Sequence, residues 1–402
     1  MKQANTYEEI DHLVKLCRAG RLYEVQDWIT AGKPVNLPPA HALKRAKQSP
    51  LQVALDLGFH SLVQLLLEGG ASLEDPRYPP LAQALQKRRL DFVQLLVKHG
   101  ANIHSVHMEE VFDTWSNEIV DFFIEHGADL ETGNPLAYAL CSRIRPALGL
   151  FMRYKDQYPS FKDQIDIALR YHCKEGNLKW VSLLLWAGAD PNTKGPDSPH
   201  DDDFESFSSA LELAAMRGHF VVFKIKKIRL DPKQSPAEDL LRNACYGKKP
   251  ELLKMLLDNG FSPRELQDRG SSLIQSLIYS MSWDFNPYSY TRQEKDIDSH
   301  KSREVIKMMH MLVRNGARWE PEDVSEINGA RRSLLKMKSD YVMEFIWIIS
   351  EYHACTRKHV ETLVKTASMR SLLSKHLNRL DEMLNTLQAF SPACPCESFL
   401  SR

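Results

Sequence analysis

The chain has 402 residues, is 43% hydrophobic, and carries 52 basic against 52 acidic residues for a formal net charge of zero. That balance excludes a general nucleic-acid binder, whose affinity would rest on neutralising phosphates, and leaves only local charged patches open. No run of about 18 apolar residues is present, so no membrane span is expected; residues 1–11 lack the apolar run of a signal peptide; and seven cysteines without framework spacing suit a reducing compartment.

Residues 6–36 read as a first helix pair. Ile10, Leu13, Val14 and Leu16 lead to Ala19-Gly20, and Val25, Trp28 and Ile29 lead to Ala31-Gly32. Glu8, Glu9, Asp11 and Lys15 supply the polar outer side that an end unit needs. A recurring phrase follows. Leu-Val-Gln-Leu-Leu-Leu-Glu-Gly-Gly-Ala at 62–71 returns in altered form at 92–101, 119–128 and 180–189. Weaker copies end at Asn259-Gly260-Phe261 and Asn315-Gly316-Ala317. Self-similarity at a period of about 30 residues marks a stack of small like units. The gap from Gly127 to Gly188 is about two periods, so a degenerate unit is expected between them, its second helix over Ala147–Tyr154.

The clearest unit spans Ser49–Glu74. Ser49 can cap a helix, because its hydroxyl accepts from free N–H groups of the first turn. Pro50 sits where a missing N–H costs nothing. Gly58 ends the first helix in a left-handed cap. Ser61 is expected to open the second helix, which Gly70 closes. Cys17, Cys141, Cys173 and Cys245 fall in such helical patterns and read as small buried apolar residues.

These letters resemble the ankyrin repeat, whose pattern is Thr-Pro-Leu-His, two alanines, Gly-His, a Val-x-x-Leu-Leu helix and Gly-Ala-x-x-Asn. Ser49-Pro50-Leu51-Gln52 stands for the opening, and Pro80-Leu81-Ala82-Gln83-Ala84 and Asn134-Pro135-Leu136-Ala137-Tyr138-Ala139 repeat it. Ala210–His219 is the fullest first half, and Gly188-Ala189-Asp190-Pro191-Asn192 the fullest turn. The resemblance covers roughly residues 6–320 and implies an all-α solenoid of about nine helix-turn-helix units, to which apolar spacing over 334–338, 341–352, 359–366 and 369–387 adds a C-terminal helical cap. Together these readings divide the chain into an N-terminal capping pair at 1–45, repeats at 46–320, a helical cap at 321–390 and a flexible tail at 391–402. Most copies lack the opening His that ties neighbouring hairpins in the family, so hydrogen bonding between repeats should be less regular.

The family implies a protein partner on the concave face, built from hairpin tips and first helices. The tip positions after each Gly-Ala are Asn102, His104, Asp129, Glu131, Asp190 and Asn192. Their chemistry varies from unit to unit, which suits one specific protein partner. Two insertions interrupt the array, and insertions in repeat arrays map to loops on one face, often the binding face. The one at 193–208 carries Asp201, Asp202 and Asp203 and reads as a solvated loop. The one at 282–302 carries Trp283, Phe285, Tyr288, Tyr290 and Arg292, residue types that dominate interface hot spots. The unit near 226–232 ends atypically, without Gly-Ala.

Other motifs read more simply as structure. Cys394-Pro-Cys396 has no neighbouring ligand to complete a tetrahedral metal site. His353 and Cys355, two apart with His359 beyond, would point to different faces of a helix. Arg331, Arg332, Lys336 and Lys338 read as the solvated face of a cap helix. His99 and His126 stand where a helix C-terminus favours a cation. No Ser-His-Asp order, phosphate-binding Gly loop or His-Glu-x-x-His is present, so no cofactor or metal is expected. The expected function is therefore a non-enzymatic scaffold or regulator in the cytoplasm, with a protein partner rather than a membrane or nucleic acid; an inhibitor or immunity-type protein fits. The alternative is an effector whose C-terminal helices form a small nuclease-like segment, since Arg370 and His376 have the spacing of the HEPN-type helical ribonucleases.

Overall fold

The computed structural model describes residues 3–39, 47–74, 79–200, 208–233, 237–263, 273–282, 298–321 and 323–388. They form two compact units, Met1–Ala168 with Ser198–Asp201, and Leu169–Asp197 with Asp202–Arg402.

In the first unit the helices come in antiparallel pairs: α1 (Glu8–Arg18) with α2 (Leu22–Thr30), α3 (Pro50–Leu57) with α4 (His60–Glu68), α5 (Pro80–Gln86) with α6 (Leu90–Lys98), α7 (Met108–Phe112) with α8 (Asn117–Glu125), and α9 (Pro135–Cys141) with α10 (Arg145–Tyr154). First helices pack on first helices, α1 on α3 and onward to α9, while α2, α4, α6 and α8 form the second layer. The division between units falls inside α11 (Ser160–Lys174). The degenerate unit is therefore present, its second helix starting two residues before the expected Ala147.

The second unit continues with α12 (Leu178–Ala187), the two-residue strands β1 (Lys194–Gly195) and β2 (Ser208–Ser209), and α13 (Ala210–Met216). Next come α14 (Ala237–Gly247), α15 (Pro250–Asp258), α16 (Leu273–Ser282), α17 (Asp298–Arg314), α18 (Val324–Leu334), α19 (Ser339–Glu351), α20 (Arg357–Val364), α21 (Ala367–Leu372) and α22 (Leu377–Gln388). Here α13, α14, α16, α18 and α20 form one layer, and α15, α17, α19 and α22 the other. The partner of α13 is only a 3-10 turn, Phe220–Lys224, which accounts for the missing Gly-Ala after it. Helices beyond residue 320 keep the same two-layer stacking, and His353-Ala354 takes the place of Gly-Ala, with Ala354 N donating to Ile349 O at 2.8 Å.

Local chemistry sets these boundaries. Ser49 Oγ accepts from Gln52 N at 3.1 Å while Gln52 Oε1 accepts from Ser49 N at 2.8 Å, a reciprocal cap that satisfies two donors. Ser209 and Glu212 repeat it at 3.2 and 3.0 Å. Proline opens α3, α5 and α9 at a position that needs no donor. Ser61 does not open α4; the helix starts at His60, with Phe59 as its uncapped boundary residue.

The turn between paired helices requires a left-handed residue. Gly58 supplies it at φ 71° without cost, but Arg88, Trp115, Arg143 and Lys248 adopt φ between 51° and 64° at the equivalent place. After the second helices, Ala71, Ala101, Ala128 and Ala317 each donate to the carbonyl five residues back, at 2.9 to 3.0 Å, the bond that closes a helix C-terminus. Gly247 is fixed for another reason. A Cβ there would lie 2.0 Å from Ala215 O, so the C-terminus of α14 can approach α13 only without a side chain.

The core runs between the layers. Phe92, Phe112, Phe123 and Leu51 are buried in the first unit, and Trp319, Phe261 and Phe345 in the second. Trp319 also fixes the next pair: its Nε1 donates to Gln275 Oε1 at 2.9 Å and its backbone N to Ala354 O at 2.6 Å. Amides take over ties that the absent histidines do not make. Gln83 Nε2 donates to Gln52 O at 3.0 Å, and Asn36 spans neighbouring tips by donating to Gly70 O and accepting from Ser72 N.

Candidate interaction site

The hairpin tips of the first unit present exposed polar residues on a fixed backbone. Asn102 Oδ1 accepts from His104 N at 2.9 Å, and Asp129 Oδ1 accepts from Glu131 N at 2.9 Å and Thr132 N at 3.1 Å. Hydrogen bonds from Thr132 and from the Glu131 and Thr132 amides hold the Asp129 carboxyl below the usual range, and the nearby His104 ring adds to this. The first residue of each tip is thus partly spent on shaping the turn. His104 remains exposed, and Glu131, exposed too, accepts from Ser160 Oγ at 3.3 Å. In the second unit Asp190 Oδ1 accepts from Asn192 N at 2.9 Å, the same turn, with both residues half-buried. The six expected residues therefore fall four in one unit and two in the other. Asp201, Asp202, Asp203, Trp283, Phe285, Tyr288, Tyr290 and Arg292 lie outside the described residues.

The first helices of the first unit bring further groups together. Tyr138 on α9 donates its hydroxyl to Asp113 Oδ2 at 3.2 Å, beyond the C-terminus of α7. Burial, with the Asp113 charge and hydrogen bond, pushes the Tyr138 hydroxyl above its ordinary value. His200 Nε2 stands 3.7 Å from Glu109 Oε1, with its ring 6.1 Å from the Tyr138 ring, and Asn134 Nδ2 donates to Pro199 O at 3.3 Å. Glu109 and Glu110 at the start of α7 and Asp113 just beyond its C-terminus thus flank this short helix, with an aromatic hydroxyl on Asp113, in the same unit as the acidic tips. None of the three was singled out from sequence. The acidic pair opening α7 was the available signal, but a five-residue helix has too short a period to show which face it presents.

The base of the 193–208 insertion is built more firmly than a solvated loop. Lys194 and Gly195 pair with Ser209 and Ser208 in the β1–β2 ladder. Arg170, 4% exposed, donates from Nε to Pro196 O at 2.7 Å and from Nη1 to Thr193 O at 3.2 Å. Lys174 pairs with Asp197 at 2.7 Å.

The remaining motifs are placed as follows. Burial pushes the thiols of Cys17, Cys173, Cys245 and Cys355 up to about 12, so each stays a neutral, unreactive core group. His359 Nδ1 accepts from Thr356 N at 3.4 Å as part of a helix cap. His126 Nδ1 lies 2.7 Å from Phe122 O at the end of α8. Arg331 donates to Leu363 O at 2.8 Å and to Thr362 O, capping α20, while Arg332, Lys336 and Lys338 are exposed. Arg370 lies in the last turn of α21 and is exposed; His376 sits in the following 3-10 turn, 3.0 Å from Asp340 Oδ1, so the two share no helix. Among the described residues no cluster of three His, Cys, Asp or Glu could hold a metal ion, and no helix is long and apolar enough to cross a membrane.

No family model matches the chain. It is similar to the ankyrin repeat and KH domain-containing protein mask-1 of Caenorhabditis elegans, 26% identical over 273 residues, covering 64% of this chain and 10% of that protein. It is also similar to a fowlpox virus (strain NVSL) protein named for ankyrin repeats, 22% identical over 240 residues, covering 56% of this chain and 38% of that protein. The chain thus spans well under half the length of either relative. Among solved structures, the ankyrin repeat domain of Bcl-3 aligns with 53% of this chain and 97% of its own, at a TM-score of 0.39 and 21% identity. The human ASB11 ankyrin repeat domain aligns with 57% and 96%, at 0.38 and 19%.

Proposed function

This chain is an ankyrin-repeat protein, and from that premise we propose that it is a non-enzymatic scaffold or regulator that binds another protein through its tips and first helices. One observation carries the choice of surface: the tips and first helices of one unit hold two acidic groups, Asp113 and Glu109 beside Tyr138, and Asp129 and Glu131 at a tip with His104 near Asp129. An acidic surface with an aromatic hydroxyl suits a basic protein segment, since complementary charge raises the encounter rate and suppresses wrong partners. Asn102 belongs to the same proposed surface, while Asp190 and Asn192 in the other unit, and the residues of the two insertions, are proposed as partner contacts in their own right. An inhibitor or immunity-type role fits such a scaffold, and thiols kept buried at Cys17, Cys173, Cys245 and Cys355 support a cytoplasmic place. We read residues 1–45 as the N-terminal cap, 46–320 as the repeats and 321–390 as the C-terminal cap, the last supported by the stacking of α18 to α22.

Affinity purification of the full chain from its native host should yield a stoichiometric partner. Recovery should fall at least about tenfold with Glu109→Lys/Asp113→Lys, in proportion to the charges reversed. Trp283→Ala and Tyr288→Ala test the second insertion in the same assay. Undiminished recovery with all four changes removes this surface from consideration.

A further inference from the structure

The second helices of the C-terminal unit hold a groove unlike anything on the tips. It lies between α15 and α17 and has a volume of about 460 Å³. Lys254 stands on one wall, Lys307 and Arg314 on the other, and Pro250 and Met311 supply apolar surface between them. All three cations are exposed. Among the described residues Lys254 has no ion-pair partner, while Lys307 meets only Glu304, on its own helix, at 2.9 Å.

Aromatic groups continue the wall onto α19. Arg314 Nε donates to Tyr352 OH at 2.9 Å, which fixes the guanidinium. The His310 ring lies 5.9 Å from the Trp347 ring and 6.4 Å from that of Tyr352. His310 Nδ1, inaccessible to water, has no hydrogen-bond partner among the described residues. Arginine, aromatic residues and methionine are the types enriched at protein interfaces.

We propose that this groove is a second docking site, for an acidic amphipathic segment of a protein partner. Carboxylates of that segment meet Lys254, Lys307 and Arg314, and an apolar side chain lies over Met311 and Pro250. The groove also carries Glu251, and Glu344 approaches His310 at 4.0 Å. A nucleic-acid backbone, charged at every step, would meet those carboxylates. A peptide can place its charges only where the cations are. The site differs from the proposed acidic surface in element, unit and sign of charge, so either can fail alone.

The test is fluorescence anisotropy of the full chain with a fluorescein-labelled Glu-Glu-Leu repeat peptide at low salt. Saturable binding is expected, weakened about tenfold or more in Lys254→Glu/Arg314→Glu. Lys98→Glu, on the surface of the other unit, should bind as the wild type does, and circular dichroism should show each variant folded. Lys254→Gln/Lys307→Gln, which alters only exposed ends of long side chains, repeats the measurement should the first variant unfold. Absence of wild-type binding, variant binding within about twofold of wild type, or an equal loss in Lys98→Glu overturns the proposal. So does tighter binding of a single-stranded oligouridylate of equal charge that Lys254→Glu/Arg314→Glu abolishes, which would assign the groove to nucleic acid.

Discussion

Gln164→Ala should loosen the array at a point distant in sequence from the substitution. Gln164 is 1% exposed. Its Oε1 accepts from Leu136 N at 2.9 Å and Ala137 N at 3.3 Å, and its Nε2 donates to Leu130 O at 2.9 Å. The start of α9 needs this, because Asn134 stands at its boundary in the left-handed region and makes no side-chain cap. The first N–H groups of any helix have no partner within it, and here the next repeat supplies one. Truncation leaves two buried donors and one acceptor unmet, at about 1–3 kcal/mol each. Since the 3.3 Å contact is weak and water can enter the space left, the net loss should be about 2–4 kcal/mol. The assay is hydrogen exchange by NMR or mass spectrometry on peptides covering 130–140. Opening of that segment should rise about thirtyfold or more. Gln164→Leu, which keeps the volume, should give nearly the same loss. If Gln164→Leu exchanges like the wild type, the cap is not made by Gln164 and the reasoning fails.

Gly247→Ala should destabilise the second unit by about 2–4 kcal/mol in urea titration, because its Cβ cannot be placed without separating α13 from α14. Arg88→Gly should do the opposite: relief of the left-handed strain at φ 55° outweighs the added freedom of the unfolded chain, raising stability by about 0.5 kcal/mol. Acidification should weaken the second unit. Burial, then the Arg314 charge, holds His310 below its ordinary 6.5 against the opposing pull of Glu344, and burial does the same to His359. Tyr352 also faces His310, and Lys254 and Glu251 line the groove from α15. The unfolded chain therefore takes up protons first. Stability is full above pH 6.5 and falls as pH drops toward the folded-state values. Thermal melts from pH 7.5 to 5.5 should show this fall, and His310→Gln/His359→Gln should flatten it.

Features set by neighbours a few residues apart were legible in the sequence. The Ser49 cap, the Gly58 turn and the Gly-Ala closures all depend on bonds that span at most five residues. The helix at Arg145–Tyr154 was legible too, because the period demanded a unit where the letters had decayed. The left-handed turns at Arg88, Trp115, Arg143 and Lys248 were not, since nothing in those side chains asks for that backbone. Nor was the 3-10 turn at Phe220–Lys224, where Phe220-Val221-Val222-Phe223 is apolar enough for a full helix. The candidate site was the least legible part. Asn102, Asp129 and Asp190 stand at the tips as expected, but whether an Asx side chain faces a partner or its own turn is a matter of geometry. Tyr138 and Asp113 meet across 25 residues, and the groove joins residues of α15 and α17 more than 50 positions apart.

The zero net charge takes on a different meaning once charge is placed. Glu109, Glu110, Asp113, Asp129 and Glu131 belong to one unit, and Lys254, Lys307 and Arg314, with Glu251 among them, to the other, so the balance is in part a sum over groups that are separately placed. A uniformly mixed surface exerts little field beyond a Debye length of about 10 Å, whereas a patch of one sign steers an oppositely charged partner. Composition averages over exactly the distances at which recognition operates. A partner with a basic segment and one with an acidic segment could then be bound by the same neutral chain. Both associations should slow as salt rises, and each should respond only to charge reversal in its own unit.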